Sequence, residues 1–515
     1  GLSLASRRII LAIECQKRTD TNPTEGNLQC VNRLRGAAVR YDLSVVSRLR
    51  RGWPCHKIQE AAAPRLQWCT KSRHAMTSLR KTLLFLTGLL CLNTGLAADT
   101  LRDDVSALYD EKLRDLFLFF HQNPELSTME HQTSARLADE LESLGYSVHR
   151  SVGGTGIVAL LENGEGPLVM FRADMDGLPV EEKSGLSYAS RAKQVDPNGN
   201  EVFVMHACGH DVHITSLVGT AQIMAARRDE WQGTLMLIGQ PAEERVMGAA
   251  AMRADNLWER FGQPDYAMAF HVTSAMPTGI LGASVDSPYS GADTVDIYIT
   301  GVGAHGASPH RGVDPIVLGS QIVMGLQTVV SRTLPPRRPG VITVGAFHSG
   351  TKHNIISDAA HLQLTVRSES AEDRALLLDG IRRVAENMGR VAGLPEELLP
   401  RVVVSDESVP PTLNDRMLTE RIMTLWNDHF GEGVLFSGER LGMGAEDFPL
   451  FTVNPYIPSL YFAVGGTPPE DFAREQAGGE PVPSHHSPLF KVEPTASVTL
   501  GVEASVTALL DLLNQ

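Results

Sequence analysis

Five short apolar runs, each breaking off into polar or glycine-rich residues, constrain the fold of this chain more than any other feature: 156–161, 168–171, 203–205, 234–238 and 266–270. Runs of this length bounded by turn formers read as strands. Helical periodicity precedes them over 105–120 and over 130–144, the latter closed by Gly145 at the C-cap position. A further helix begins near Asp211, with Leu217, Val218, Ala221, Met224 and Ala225 on one apolar face. Strands alternating with helices predict an α/β fold with a mainly parallel sheet, and such sheets bind ligands beyond the carboxyl ends of their strands.

The pattern changes at about Asp293. Strand 294–300, helix 314–332, strands 341–347 and 361–368 and helix 372–392 follow in an order that suits a small ferredoxin-like α+β layer. It reads as a domain inserted at 291–398 between the two halves of the first, 99–290 and 399–515. The sheet resumes with a strand at 459–464, and a helix at 496–513 closes the chain.

The strand exits collect side chains that bind cations. The first reads Arg172-Ala173-Asp174-Met175-Asp176-Gly177-Leu178-Pro179, where two carboxylates at i and i+2 point the same way, to orient a ligand, pair with Arg172 or decorate a surface turn. The second, His206-Ala207-Cys208-Gly209-His210-Asp211-Val212-His213, packs three imidazoles and a thiol into eight residues, all of them ligand types for first-row metals. Gly209 lets the chain turn tightly enough for Cys208 and His210 to address one point. The third offers Glu243-Glu244 on an irregular turn, so that one acid can bind metal while the other handles protons. His271 closes the fourth run, and His485-His486 follows a Pro- and Gly-rich loop. Taken singly, Cys208, His206, His213 and His271 also suit packing; their convergence on one sheet is what predicts a site.

Charge narrows the partners. Residues 1–98 hold 16 basic and 5 acidic side chains, which leaves 30 against 55 for the remainder. So acidic a body disfavours nucleic acid and anionic membranes and leaves small molecules as the expected substrates. From Met76 a basic stretch, an apolar run and Ala97-Ala98 read as a signal peptide over 76–98, with an uncleaved anchor as the alternative, and the expected location is periplasmic or secreted. Residues 1–75 read as upstream translation or a disordered basic arm. A chain starting near Asp99 keeps one cysteine of the six, Cys208, so no disulfide framework is expected.

With these residues assembled, the chain from about Leu101 to Leu513 resembles the metal-dependent amidohydrolases of the aminoacylase and carboxypeptidase type, in their hippurate hydrolase and auxin-conjugate hydrolase branch. The resemblance rests on the three exits quoted, on Phe270-His271-Val272, on residues 301–310 (Gly-Val-Gly-Ala-His-Gly-Ala-Ser-Pro-His), on Gly-Ala-Glu-Asp-Phe at 444–448 and on His486-Ser487-Pro488. It implies a zinc-peptidase-like catalytic domain that carries a dimerisation or lid domain. It also implies two divalent ions, Zn2+ or Mn2+ with Co2+ or Ni2+ as alternatives, on Cys208, His210, Glu244, His271 and His486. Glu243 would be the general base, Asp174 a further catalytic acid and His305 a donor to the substrate carbonyl in its own or a neighbouring subunit's site. Asn354 and Arg367 would bind substrate. The implied reaction is hydrolysis of N-acyl amino acids by a homodimer that needs no membrane once processed. A dipeptidase or aminopeptidase, a non-catalytic binding protein and a Cys208-nucleophile hydrolase are the competing readings. Ile355-Ile356-Ser357 and Arg245-Val246-Met247 depart from the family pattern near the expected pocket.

Overall fold

The structure is a computed structural model and describes residues 100–515 except 286 and 439–441. The expected signal segment 76–98 and the arm before it lie outside the described residues.

A seven-stranded sheet organises the larger domain. Its four central strands, Gly233–Gln240, Leu168–Asp174, Tyr266–Pro277 and Ser459–Thr467, run parallel in that order. Antiparallel neighbours complete both edges: Gly156–Asn163 and Ser147–Val152 on one side, Leu281–Gly282 on the other. The expected α/β class with a parallel sheet centre holds. Central strands here bury both faces, which is why they read as unbroken apolar runs and not as alternating ones.

Helix His210–Ala226 packs against the sheet and is buried on nearly all sides; its neighbour is the closing helix Pro494–Leu513. That closing helix is the one described helix apolar and long enough to cross a bilayer, and it is 78% buried in the protein core. Gly219 and Gly501 let these helices approach, since a Cβ on Gly219 would lie 2.6 Å from Val502 and one on Gly501 3.1 Å from Ser216 Oγ.

The expected strand at 203–205 takes a different place. Glu201–Phe203 pairs only with Lys193–Val195, and Met205 bridges to Leu178, so this run lies outside the main sheet. Its side chains explain why: Val202 and Phe203 are half-buried, and full burial begins only at Val204. The run ending at 270 continues to Pro277, because Val272 and Thr273 extend its pairing with the 459–467 strand. His271 therefore sits within a strand and does not close one.

The second domain is an antiparallel four-stranded sheet in the order Gly340–Ser349, Ala359–Ser368, Gly291–Thr300, Arg401–Val409, with helices Pro315–Thr328 and Ala371–Val391 packed on it. The fourth strand lies past the expected boundary at 398, which moves the return crossing to about Val409. Both crossings run side by side: the Thr412 N–H donates to the Tyr289 carbonyl, and a Cβ on Gly291 would meet Pro411 Cδ at 3.0 Å.

Candidate active site

Parallel pairing sets Asp174 opposite Gln240, so the exits of two neighbouring strands emerge together. Two residues further on, Asp176 accepts the backbone N–H groups of Glu243 (3.2 Å) and Glu244 (3.0 Å) and the Ser127 hydroxyl (2.6 Å). These bonds fix the acid pair on a short turn flanked by two left-handed residues, Ala242 (φ 50°) and Val246 (φ 55°). Such a conformation costs about 1–2 kcal/mol per non-glycine residue. The buried Glu130 carboxylate helps to offset it by accepting the Ala242 N–H at 2.8 Å.

Gly209 turns the chain between Cys208 and His210 at φ 86°, and a Cβ there would stand 2.4 Å from Val272 Cγ1. Only glycine fits both the conformation and the space. His210 then opens its helix with its ring between two acids, Nδ1 3.3 Å from Asp176 and Nε2 3.7 Å from Asp174.

Around these residues the expected ligands converge. Cys208 Sγ lies 3.4 Å from His271 Nε2, and His486 Nε2 lies 3.3 Å from Glu244. His210 Nε2 stands 3.9 Å from Glu243 and 4.0 Å from Glu244. Ligand atoms of Cys208, Glu244 and His486 fall within 4.8 Å of one another, as do those of His210, Glu243 and Glu244, and those of Cys208, His271 and His485. All five side chains expected to hold metal belong to these overlapping groups.

Hydrogen bonds separate ligands from supports. His271 donates Nδ1–H to the Val272 carbonyl (2.6 Å), which leaves Nε2 as a free lone pair. His213 has both nitrogens engaged: the Val272 N–H donates to Nε2 at 2.9 Å, and Nδ1 meets Asp174 at 2.5 Å. It is a brace, not a ligand. Asp174, expected among the catalytic acids, has its oxygens committed as well, Oδ1 to His213 and Oδ2 to Arg172 (2.7 Å). The neighbouring acid Asp176 holds the Glu pair and shares the His210 ring with Asp174. Arg172 also binds Glu446 at 2.7 Å and Gln240 at 2.7 Å, entirely away from solvent.

The donor set fits divalent cations. Donors bonded to one first-row cation at about 2.0–2.3 Å sit about 3–4 Å apart, which is close to the spacings found here. Both His210 nitrogens and Glu244 Oε1 are buried with no hydrogen-bond partner. Burial pushes the Glu244 carboxyl up to about 7, against the pull of His210, and Asp176 adds to the rise. Burial also drives Glu243 well up, with Glu446, Glu244 and Asp447 acting the same way. The Cys208 thiol is raised by burial and then by Glu244, Glu243 and Asp174. Burial would lower His210, yet Asp174 and Asp176 raise it to about 10, and the same two carboxylates would favour a cation beside the ring. Burial, then His213 and His485, hold His271 well below its usual range, neutral and ready to coordinate.

The remaining expected residues lie on the second domain. His305 pairs with Ile355 in a short ribbon beside Asn354, whose carbonyl accepts the Gly306 N–H at 2.9 Å. The Ala307 N–H donates to His305 Nδ1 at 3.0 Å, so the neutral ring carries its proton on the exposed Nε2. Arg367 stands near the other end of the 359–368 strand, opposite Ala292. The structure thus groups His305 with Asn354 and sets Arg367 apart, by the crossings. Sequence reasoning offered Asp176 a ligand-orienting role or a pairing with Arg172, and assigned no roles to Glu446, Asp447 or His485. The motif 444–448 carried the signal for two of them: Asp447 accepts from Gln240 (2.6 Å) and from the Ala249 N–H (2.9 Å) beneath the Glu pair.

Comparison with known proteins agrees with this geometry. The profile of peptidase family M20/M25/M40 matches residues 170–476. A hippurate hydrolase of Campylobacter jejuni is 34% identical over 339 residues, 64% of this chain and 82% of that protein. Thermostable carboxypeptidase 2 of Saccharolobus solfataricus is 33% identical over 393 residues, 76% of this chain and 92% of the other. Among solved structures, a Bacillus subtilis protein described as a dinuclear metal-binding peptidase of family M20 superposes with a TM-score of 0.64 at 26% identity, covering 79% of this chain and 99% of its own.

Proposed function

This chain belongs to peptidase family M20/M25/M40 and is a metal-dependent hydrolase, and from that premise we propose that it cleaves the amide bond of N-acyl amino acids, releasing a carboxylic acid and an amino acid. One observation carries the chemistry: Glu243 is a buried acid among the ligands whose neighbours raise its proton affinity, while Glu244 takes the place beside His486 and Cys208. Hydrolysis of an amide requires a group that removes a proton from water and delivers one to the departing amine.

Cys208, His210, Glu244, His271 and His486 would hold two divalent ions, as the name of the Bacillus subtilis relative suggests. Such ions acidify water and polarise a carbonyl, lowering the pKa of bound water from about 15.7 towards 7. Glu243 takes the proton of the attacking water and returns it to the leaving nitrogen. Asp176 keeps the acid pair in place through two backbone N–H groups. His305 presents a protonated Nε2 suited to the developing oxyanion, a contribution of about 3 kcal/mol in comparable sites. Asn354 and Arg367 would bind the acyl and carboxylate ends. Because His305 lies in the short ribbon beyond one end of the 359–368 strand and Arg367 lies near the other end of that strand, a homodimer in which a neighbour supplies His305 is the arrangement we favour. Exposed Ile316, Val317, Met324 and Val391 on the two lid helices offer it an apolar face.

The name of the hippurate hydrolase supports acyl amino acids as substrates, and that of the carboxypeptidase supports peptides. A panel of N-benzoyl and N-acetyl amino acids beside free dipeptides, run on metal-reconstituted protein starting at Asp99, decides between them. We expect turnover of the acyl amino acids, lost with EDTA and restored by Zn2+ or Mn2+. Dipeptide turnover alone would favour the peptidase, turnover of neither a binding protein, and activity indifferent to EDTA a cysteine nucleophile. Export belongs to the same proposal: residues 76–98 fused to a reporter should direct it out of the cytoplasm.

A further inference from the structure

His485 is the less favoured histidine of its pair by sequence, yet it is the one that faces Cys208. Its Nδ1 lies 3.7 Å from Sγ, and its ring stands edge-on to His271 (centroids 5.2 Å apart, 76°) and against Phe490 at 4.7 Å. With Cys208 and His271 it forms a group that could be read as three ligands of one ion.

A single hydrogen bond argues against that reading. The backbone N–H of Ser274 donates to His485 Nε2 at 3.3 Å. A backbone amide can only donate, so Nε2 presents its lone pair, and a neutral imidazole then carries its proton on Nδ1. A metal bond at Nδ1 would require either a fully deprotonated ring or loss of the Ser274 bond. His271 makes the opposite choice, with Nδ1–H tied to the Val272 carbonyl and the lone pair turned inward. Two adjacent rings beside one sulfur are therefore held in complementary states, one an acceptor and one a donor.

We propose that His485 is a positioning residue that donates an Nδ1–H···S hydrogen bond to the Cys208 thiolate when metal is bound, and that it is not itself a ligand. The inference rests on the metal reading above. The surroundings of the sulfur give the bond a purpose: a Glu244 oxygen lies within 4.8 Å of it, and a donor at the sulfur disperses part of the negative charge gathered there. Partners of this kind orient a ligand and tune the electron density it gives the metal.

Cobalt substitution separates the possibilities, because a thiolate bound to Co2+ produces a near-ultraviolet charge-transfer band that reports the charge on sulfur. Wild type, His485→Leu and His485→Asn would be loaded with Co2+ alone, and cobalt per chain and the band position measured for each. We expect equal cobalt content in all three, a shift of the band to longer wavelength in His485→Leu, and recovery towards wild type in His485→Asn, whose side-chain N–H lies close to the position of Nδ1. Loss of one cobalt in both variants would make His485 a ligand and overturn the proposal. Full cobalt with an unmoved band would reduce the residue to packing and overturn it equally. A wild type that binds cobalt without any such band would instead refute Cys208 as a ligand, and this inference with it, before any variant is compared.

Discussion

Replacing Gly209 by alanine tests how the turn builds the site. The residue sits at φ 86°, a conformation that costs a non-glycine residue about 1–2 kcal/mol. The new Cβ would also stand 2.4 Å from Val272 Cγ1, inside any permitted contact, and overpacking of this kind costs about 1–3 kcal/mol. Together these predict a destabilisation of about 2–5 kcal/mol. The clash has a functional side, because Val272 holds His213 through its N–H and His271 through its carbonyl. Moving that strand disturbs a ligand and a brace at once, so metal occupancy should fall with stability. The double variant Gly209→Ala/Val272→Ala removes the contact and keeps the backbone cost. Val272→Ala alone should cost on the order of 2 kcal/mol, and the double variant should be about 1–3 kcal/mol more stable than the sum of the single effects. Denaturant unfolding of the four proteins, each with its metal content measured, gives the cycle. Strict additivity, or a Gly209→Ala protein with wild-type stability and full metal, would refute the reasoning.

Other substitutions probe separate parts of the account. Glu243→Gln should lower kcat by about 10²–10⁴ while metal analysis finds both ions retained, and wild-type turnover would remove Glu243 from the mechanism. Cys208→Ser should reduce metal occupancy, and unchanged occupancy would return that residue to packing. Arg172→Met strips Asp174 and Glu446 of their buried cation and should cost about 3–5 kcal/mol in chemical denaturation, so a small loss would mean that these acids are protonated in the fold. His121 supplies a pH test. Burial alone would lower its imidazole, but Asp211 at 2.7 Å and Glu182 at 3.3 Å raise it to about 9. Because the folded value exceeds the unfolded one of about 6.5, the stabilisation is complete below pH 6.5 and is lost as pH rises through 9, a change of about 3 kcal/mol. Unfolding midpoints of wild type and His121→Asn should converge across that window, and parallel profiles would contradict the pairing.

The sequence was most legible where chemistry is concentrated. Cys208 and His210 stand in a dense run of metal-ligand types at 206–213, Glu244, His271 and His486 each follow an expected strand or loop, and the turn at Gly209 follows from glycine alone. What supports them was harder to read. Asp174 and Asp176 look equivalent in sequence, and only the pairing of Asp174 with Gln240 shows which acid meets Arg172 and His213 and which meets the Glu pair. Glu446 and Asp447 are some two hundred residues from the acids they crowd, so their effect on Glu243 arises only in three dimensions. His485 differs from His486 by one position, and a left-handed backbone at His486 (φ 65°) turns the two rings to different partners. The run at 203–205 carries an apolar signal too short to separate a sheet strand from a bridged segment, and strand 401–409 alternates too weakly to announce itself.

Anomalous diffraction from crystals loaded with Zn2+ or Mn2+ tests the central claim most directly. The account predicts metal peaks within bonding distance of Cys208 Sγ, the Glu244 carboxylate and the Nε2 atoms of His210, His271 and His486, with Glu243 close by but unbonded. Peaks elsewhere, or a metal bonded to Glu243 in place of Glu244, would contradict it.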